Sequence, residues 1–296
     1  MHILMTGGTG FIGTPLANSL LSDGHRVTIL SRSLHKDGGL CRYITSLDAI
    51  NEDETIDGII NLAGASLAEK RWSGRYKQQI VSSRLDTTRV LLALIERVQQ
   101  KPAVLLSASA IGFYGPQGDE ALAEDAARGR GFAADLCVDW EAEALMAEAS
   151  GLRVCLLRLG VVLDRHEGAF VELERPFKLG VANWIGNGHQ VLSWIHRRDA
   201  VAAIRHILYD ETATGAFNVT APVPVTSREL CTAMKVQRRT FITLPVPGIA
   251  LRLAVGEMAN ELLISGQRVL PQRLQAAGFE FEFADIDAAL ASIYAG

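Results

Sequence analysis

The chain has 296 residues, 48% hydrophobic and 21% charged, which is enough apolar material to fill one large α/β domain or a domain with an added lobe. The formal charge is −4 with no concentrated run of Lys and Arg, which argues against a surface that tracks nucleic-acid phosphates. No apolar run approaches the ~20 residues of a membrane helix, and the start of the chain lacks the form of a signal peptide, so a cytoplasmic protein with no membrane partner is expected. Cys41, Cys137, Cys155 and Cys231 lie far apart and suggest neither a metal site nor a disulfide framework.

The first half alternates short apolar runs with helical patterns. Ile3-Leu4-Met5 reads as a buried strand, Gly13 to about Leu21 as a helix, and Val27-Thr28-Ile29-Leu30 as a second strand. A weaker strand is expected at Arg42-Tyr43-Ile44 and a firmer one at Gly58–Leu62. A long helix over about Tyr76–Gln99 should present Val81, Leu85, Thr88, Leu92 and Ile95 on one face. Val104-Leu105-Leu106 is the next strand, Ala133–Ala149 the next helix, and Arg153–Leu157 a further strand. This alternation predicts an α/β fold: a Rossmann, doubly wound parallel sheet with helices on both faces.

After Leu163 the pattern loosens. Gly168, Gly180, Gly186 and Gly188 read as loop-rich, and a helix is expected over Asp199–Leu208 with Asp199 as its cap. Phe217-Asn218-Val219 reads as a strand, and Thr226-Ser227-Arg228-Glu229 can open a helix with a capping box. The tail from Gly248 reads as two or three helices. The expected organisation is a Rossmann domain over 1–165, to which 196–220 return, and a smaller C-terminal substrate lobe built from 166–195 and 221–296.

Gly8-Thr9-Gly10-Phe11-Ile12-Gly13 fits G-x-G-x-x-G, with Gly7 directly before it. The motif follows a strand and opens a helix, the context in which glycines admit a pyrophosphate to the backbone and the helix N-terminus meets its charge. Ser31-Arg32 stands at the end of the second strand, where an NAD site usually carries Asp or Glu. A carboxylate there would repel a 2′-phosphate, whereas Arg32 and Ser31 would bind it, so NADP(H) is the expected cofactor. Asn61-Leu62-Ala63-Gly64 ends a strand on the same sheet edge. Arg84 falls inside the apolar stripe of the long helix and needs either a cofactor group or a carboxylate as partner.

These motifs, with Phe113-Tyr114-Gly115 and Trp194-Ile195-His196-Arg197-Arg198-Asp199, resemble the extended short-chain dehydrogenase/reductase superfamily. Arg71-Trp72, Gly186-Asn187-Gly188-His189-Gln190 and Gly266-Gln267-Arg268-Val269-Leu270-Pro271 are similar to its "epimerase family protein" branch, the YfcH-like proteins. The resemblance implies an NADP-binding Rossmann domain and a small substrate lobe. It places Ser31, Arg32, Leu62, Ala63 and Arg84 at the cofactor and supplies neither substrate nor oligomeric state.

One departure bears on the chemistry. The superfamily uses Ser with Y-x-x-x-K on a helix, Tyr as acid or base and Lys to lower its pKa. Registered on Glu141, this chain has Ala133 and Cys137 at the Tyr and Lys positions. Ser109 takes the Ser role by position, with Ser107 as alternative. Tyr114, five residues beyond Ser109, is the candidate proton donor, and His189, His196 and Asp135 are weaker candidates. The expected function is an NADP(H)-dependent oxidoreductase or epimerase with non-standard acid–base groups; a silent NADPH-binding sensor is the alternative.

Overall fold

Seven short apolar runs assemble into one parallel sheet in the computed structural model, which describes residues 1–295. They are β1 (His2–Thr6), β2 (Arg26–Leu30), β3 (Cys41–Ile44), β4 (Gly58–Asn61), β5 (Val104–Ala110), β6 (Arg153–Leu159) and β7 (Gly215–Val219). Their spatial order is β7-β6-β5-β4-β1-β2-β3, every neighbouring pair parallel. Strands buried on both faces read as unbroken apolar runs, which is why Ile3-Leu4-Met5 could be identified from sequence. The order reverses between β1 and β4, and in open α/β sheets ligands bind at the carboxyl ends of strands flanking that point.

Helices α1 (Gly13–Ser22), α2 (Gly74–Arg97), α3 (Phe132–Leu145), α4 (Ala169–Lys178), α5 (Arg197–Tyr209) and α6 (Ser227–Gln237) follow in chain order. On one face of the sheet, Leu16 and Leu20 of α1 and Ile204 and Ile207 of α5 pack on Ile3, Met5 and Leu106. On the other, Leu91, Leu94 and Ile95 of α2 pack on Leu4, Ile59 and Leu105. Each such side chain, fully buried, contributes roughly 1.5–3 kcal/mol. A third core joins Phe170 and Phe177 of α4 to Leu230 and Met234 of α6, Trp194 and the last helix.

Three local expectations need correction. The stretch after Leu163 holds α4 and a strand at Val181–Ile185, where only loop was expected; Gly168, Gly180 and the internal Pro176 conceal them. The buried stripe of α2 runs through Ile80, Arg84, Leu85, Thr88, Leu91, Leu94 and Ile95, leaving Val81 and Leu92 half-buried. Asp199 does not cap α5. His196 does, its Nδ1 accepting from the Arg198 N–H at 3.1 Å, while the Asp199 carboxylate accepts from the N–H groups of Glu282 and Phe283 at 2.9 Å each and ties down the tail. The capping box forms, with Thr226 and Glu229 each accepting from the other's backbone.

His196 is buried and stacks on Phe283 with ring centroids 4.0 Å apart. Burial, with Arg198 and Arg197 nearby and Asp164 opposing them, pulls its pKa down from 6.5 to about 4. A base depressed by folding contributes stability that is complete above its unfolded value and is lost as the pH falls toward the folded one. The melting temperature should therefore drop between pH 6.5 and about 4. His196→Asn, which keeps a capping side chain without the titration, should lose less over the same window. Equal losses in both proteins would show that His196 is not the group responsible.

Candidate functional site

The glycine loop links β1 to α1 at the switch point. Gly7 has φ +67°, and a Cβ there would lie 2.6 Å from the Leu62 carbonyl carbon and oxygen. A Cβ on Gly8 would lie 2.8 Å from the Ile29 side chain, and one on Gly13 would run into the Gly7 carbonyl. Gly10 closes the turn with its N–H on Gly7 O at 3.0 Å, and the Thr9-Gly10 stretch is exposed. No side chain caps α1 at Ile12, and its first turn carries no acidic residue, which leaves that helix end open to an anion. Phe11 turns away from the turn, its ring lying between Gly168 and the Arg197 guanidinium.

Ser31 and Arg32 directly follow β2 on the same edge. Ser31 is buried and its Oγ accepts from Ser33 N–H at 3.2 Å; Arg32 is exposed. A cavity of about 250 Å³ lies beside the loop, lined by Gly8, Thr9, Thr14, Asn18, His35 and Tyr43 among others.

Asn61 is fully buried and serves the scaffold. Its Oδ1 accepts from Thr6 Oγ1 at 2.6 Å, and its Nδ2 donates to Thr88 and Ser107 at 3.0 and 3.2 Å. Thr6 Oγ1 also accepts from Ala63 N–H at 3.2 Å. Three strand ends and α2 are thereby held in register, and Leu62-Ala63-Gly64 becomes a fixed ledge opposite Gly7. Arg84 lies beneath that ledge. Its guanidinium sits so close to Gly64 that a Cβ would fall 2.9 Å from Cζ, and the Trp140 ring lies 5.1 Å away. It donates to the carbonyls of Ala65 and Ile80 at 3.1 Å each and, among the described residues, forms no ion pair. Burial lowers its pKa, opposed by Cys137 and Tyr76 nearby.

The positions expected to carry Tyr and Lys form an apolar wall. Ala133 and Cys137 both pack against Gly112 in the short turn after β5, and Cys137 Sγ approaches the Ala110 carbonyl at 3.6 Å. Burial, then the Glu141 carboxylate, pushes the Cys137 thiol up to about 11, so it is no nucleophile at neutral pH.

The two candidate catalytic hydroxyls belong to a buried polar network. Ser109 Oγ donates to Glu141 Oε1 at 2.6 Å. Arg158 grips Glu141 with two bonds of 2.9 Å, and Arg158 Nη1 donates to the Tyr114 hydroxyl at 2.9 Å. Tyr114 in turn donates to Asn218 Oδ1 at 2.7 Å and is fully buried. Burial raises its pKa, with Arg158 opposing. Its hydroxyl is thus hydrogen-bonded on both sides, to Arg158 and to Asn218. Ser109 is likewise bonded to Glu141. His189 is exposed on a turn, His196 caps α5, and Asp135 pairs with Arg128 at the surface.

Sequence reading missed Glu141 and Arg158 as partners, although a carboxylate and a guanidinium in otherwise apolar elements were the available signal. It also missed Glu261, whose carboxylate accepts from the N–H groups of Phe132 and Ala133 at 3.2 and 2.9 Å.

Residues 3–220 match the NAD dependent epimerase/dehydratase family, and residues 246–293 match a domain of unknown function, DUF1731. The chain is 39% identical over 302 residues to the epimerase family protein YfhF of Bacillus subtilis, covering 100% of this chain and 98% of that protein. It is 36% identical over 295 residues to the epimerase family protein ML0860 of Mycobacterium leprae, covering 97% and 94% of the two chains. Among solved structures, the human epimerase family protein SDR39U1 with NADPH superposes with a TM-score of 0.91 at 33% identity, covering 100% of both chains. No helix among the described residues is long and apolar enough to cross a membrane. The chain belongs to the NAD dependent epimerase/dehydratase family, in the branch of epimerase family proteins, and has the α/β Rossmann fold of the extended short-chain dehydrogenases.

Proposed function

We propose that this chain is an NADP(H)-dependent oxidoreductase or epimerase-like enzyme whose active site works without the tyrosine–lysine pair. The observation that carries the reading is a glycine turn in which Gly7 and Gly13 leave no room for a Cβ, together with two cations, Arg32 just after β2 and Arg84 against Gly64. A buried guanidinium held only by carbonyls retains charge to offer an anionic or hydroxyl-rich ligand. The similar human protein SDR39U1 was solved with NADPH, which supports the same cofactor here.

In this reading the α1 N-terminus holds the pyrophosphate, Arg32 and Ser31 hold the 2′-phosphate, and Leu62-Ala63-Gly64 forms the ledge for the ribose next to Arg84. The nicotinamide, when bound, supplies or accepts hydride. Ala110, Ala133 and Cys137 then shape a dry, uncharged wall around the reacting carbon. Arg84 lies close enough to Cys137 for each to influence the other's protonation, so it supplies a cation near the position of the missing lysine. No side chain on α3 carries a proton to the substrate. The reaction therefore draws its proton from water, from the substrate or from a group outside α3, and Ser109 and Tyr114 act as positioning residues that hold β5 and β6 together.

Three outcomes test this. Arg32→Ala should weaken NADPH binding by about 10- to 100-fold, the loss of one charged hydrogen bond, and leave NADH nearly unchanged in titration calorimetry. Equal losses for both cofactors would remove the 2′-phosphate assignment. Arg84→Met, whose stem still packs, should lower affinity for both cofactors while the melting temperature of the cofactor-free protein stays close to wild type. A large fall in melting temperature with unchanged affinity would make Arg84 a structural residue. Tyr114→Phe removes one acceptor of Arg158 and leaves the buried Asn218 Oδ1 without its donor, and should cost about 1–3 kcal/mol of stability without changing NADPH affinity. Unchanged stability, with turnover of an identified substrate abolished, would return Tyr114 to the chemistry.

A further inference from the structure

The matched domain of unknown function begins beside a segment tied down at both ends and tacked in the middle. Upstream, the strand Ile242–Val246 pairs in parallel with Val181–Ile185. Downstream, Arg268–Val269 pairs with Ala121–Leu122, and Gln267 donates to Val191 O at 3.1 Å and to Gly115 O at 2.7 Å. Between these anchors run α7 (Gly248–Val255) and a π-helical turn at Ala259–Ile264. Ile249 and Leu253 of α7 remain 69% and 75% exposed, whereas Met258 and Ala259 further along are buried.

Among the described residues its attachments combine polar latches with one small apolar cluster. Glu261 takes the N–H groups of Phe132 and Ala133 at the start of α3. Glu257 pairs with Lys77 at 2.5 Å, in the first turn of α2. The Arg71 guanidinium lies against Gly256, where a Cβ would come within 2.9 Å of it. Met258 is buried among Trp72, Tyr76, Ile80 and Leu136, and Val255 and Leu262 pack half-buried against the same cluster. The starts of α2 and α3 lie at the carboxyl ends of β4 and β5, which is the nicotinamide half of the cleft.

We propose that residues 247–265 form a lid over the nicotinamide half of the cleft, latched by the Glu261 carboxylate on the first turn of α3. A stretch pinned at both ends, with an exposed apolar face and only a small cluster beneath it, opens at a lower free energy than a sheet buried in two large cores. The latch occupies the backbone N–H of Ala133, the residue at the family's tyrosine position. Opening therefore frees two amide donors beside the reacting carbon and gives substrate its way in, and closing excludes water. An ion pair and a carboxylate at a helix N-terminus both weaken with salt, so opening rises with ionic strength.

Hydrogen exchange on the full chain without cofactor tests the lid independently of the NADPH reading, on which only its second arm rests. Amides of 248–262 should exchange faster than those of β1 and β5. Glu261→Ala should accelerate them by about 10- to 100-fold, as expected for the loss of charged hydrogen bonds, with β1 and β5 unaffected. Lys77→Met, which removes the Glu257 pair and the cation over the Phe132 ring, should act in the same direction. Protection equal to β5 and insensitive to both variants would overturn the lid, as would acceleration spread over the whole chain. In stopped-flow fluorescence with NADPH, Glu261→Ala should speed association and dissociation together and leave Kd nearly constant. Faster exchange with unchanged NADPH rates would overturn the placement over the cleft. Failure of wild-type protein to bind NADPH would sink the cofactor reading and leave the exchange result to decide the lid.

Discussion

The architecture of the site depends on one close approach between two backbones. At the switch point, Gly7 comes so near Leu62-Ala63 that no side chain fits between them. This contact is possible only because β1 and β4 are neighbours in the sheet while their chains leave in opposite directions. Asn61 and Thr6 fix the separation through buried hydrogen bonds, which in a low-dielectric interior hold geometry better than apolar contact alone. Everything assigned to the cofactor lies on the two rims of that gap: free helix amides and Ser31-Arg32 on one side, the Leu62-Ala63-Gly64 ledge and Arg84 on the other.

The same architecture explains why the familiar chemistry is absent from α3 without loss of order. Charged and polar groups that could have served the reaction are turned inward. Glu141, Arg158, Ser109, Tyr114 and Asn218 form one chain of hydrogen bonds across β5, β6 and β7. Burial works against a charge on Arg158, and the Glu141 carboxylate more than offsets it, raising the guanidinium's pKa above its ordinary value. Removing one member of such a pair typically costs about 3–5 kcal/mol, because the other is left buried and alone. The network thus ties β5, β6 and β7 together, and an apolar wall at Ala133 and Cys137 is what stands at the positions of the family's tyrosine and lysine.

Much of this was legible in the sequence, and the limits have physical causes. Parallel strands are buried on both faces, so Ile3-Leu4-Met5 and Val104-Leu105-Leu106 announced themselves. The glycine motif carried its own stereochemistry, and the missing Tyr and Lys could be read directly from α3. The α4 helix and the strand after it were hidden because glycines and Pro176 mark breaks whether or not a helix intervenes. The destination of a side chain such as Tyr114 depends on partners far along the chain, Arg158 and Asn218, and local pattern holds no record of them. Glu261 is the extreme case: its partners lie some 130 residues earlier.

The most direct measurement is a crystal structure of the full chain with NADPH. The account predicts the pyrophosphate on the α1 N-terminus, the 2′-phosphate on Ser31 and Arg32, Arg84 against the cofactor beside Gly64, and the nicotinamide facing Ala110, Ala133 and Cys137. Tyr114 should remain bonded to Arg158 and Asn218. A cofactor bound elsewhere, an Arg32 free of the 2′-phosphate, or a Tyr114 hydroxyl swung out to the nicotinamide would contradict it.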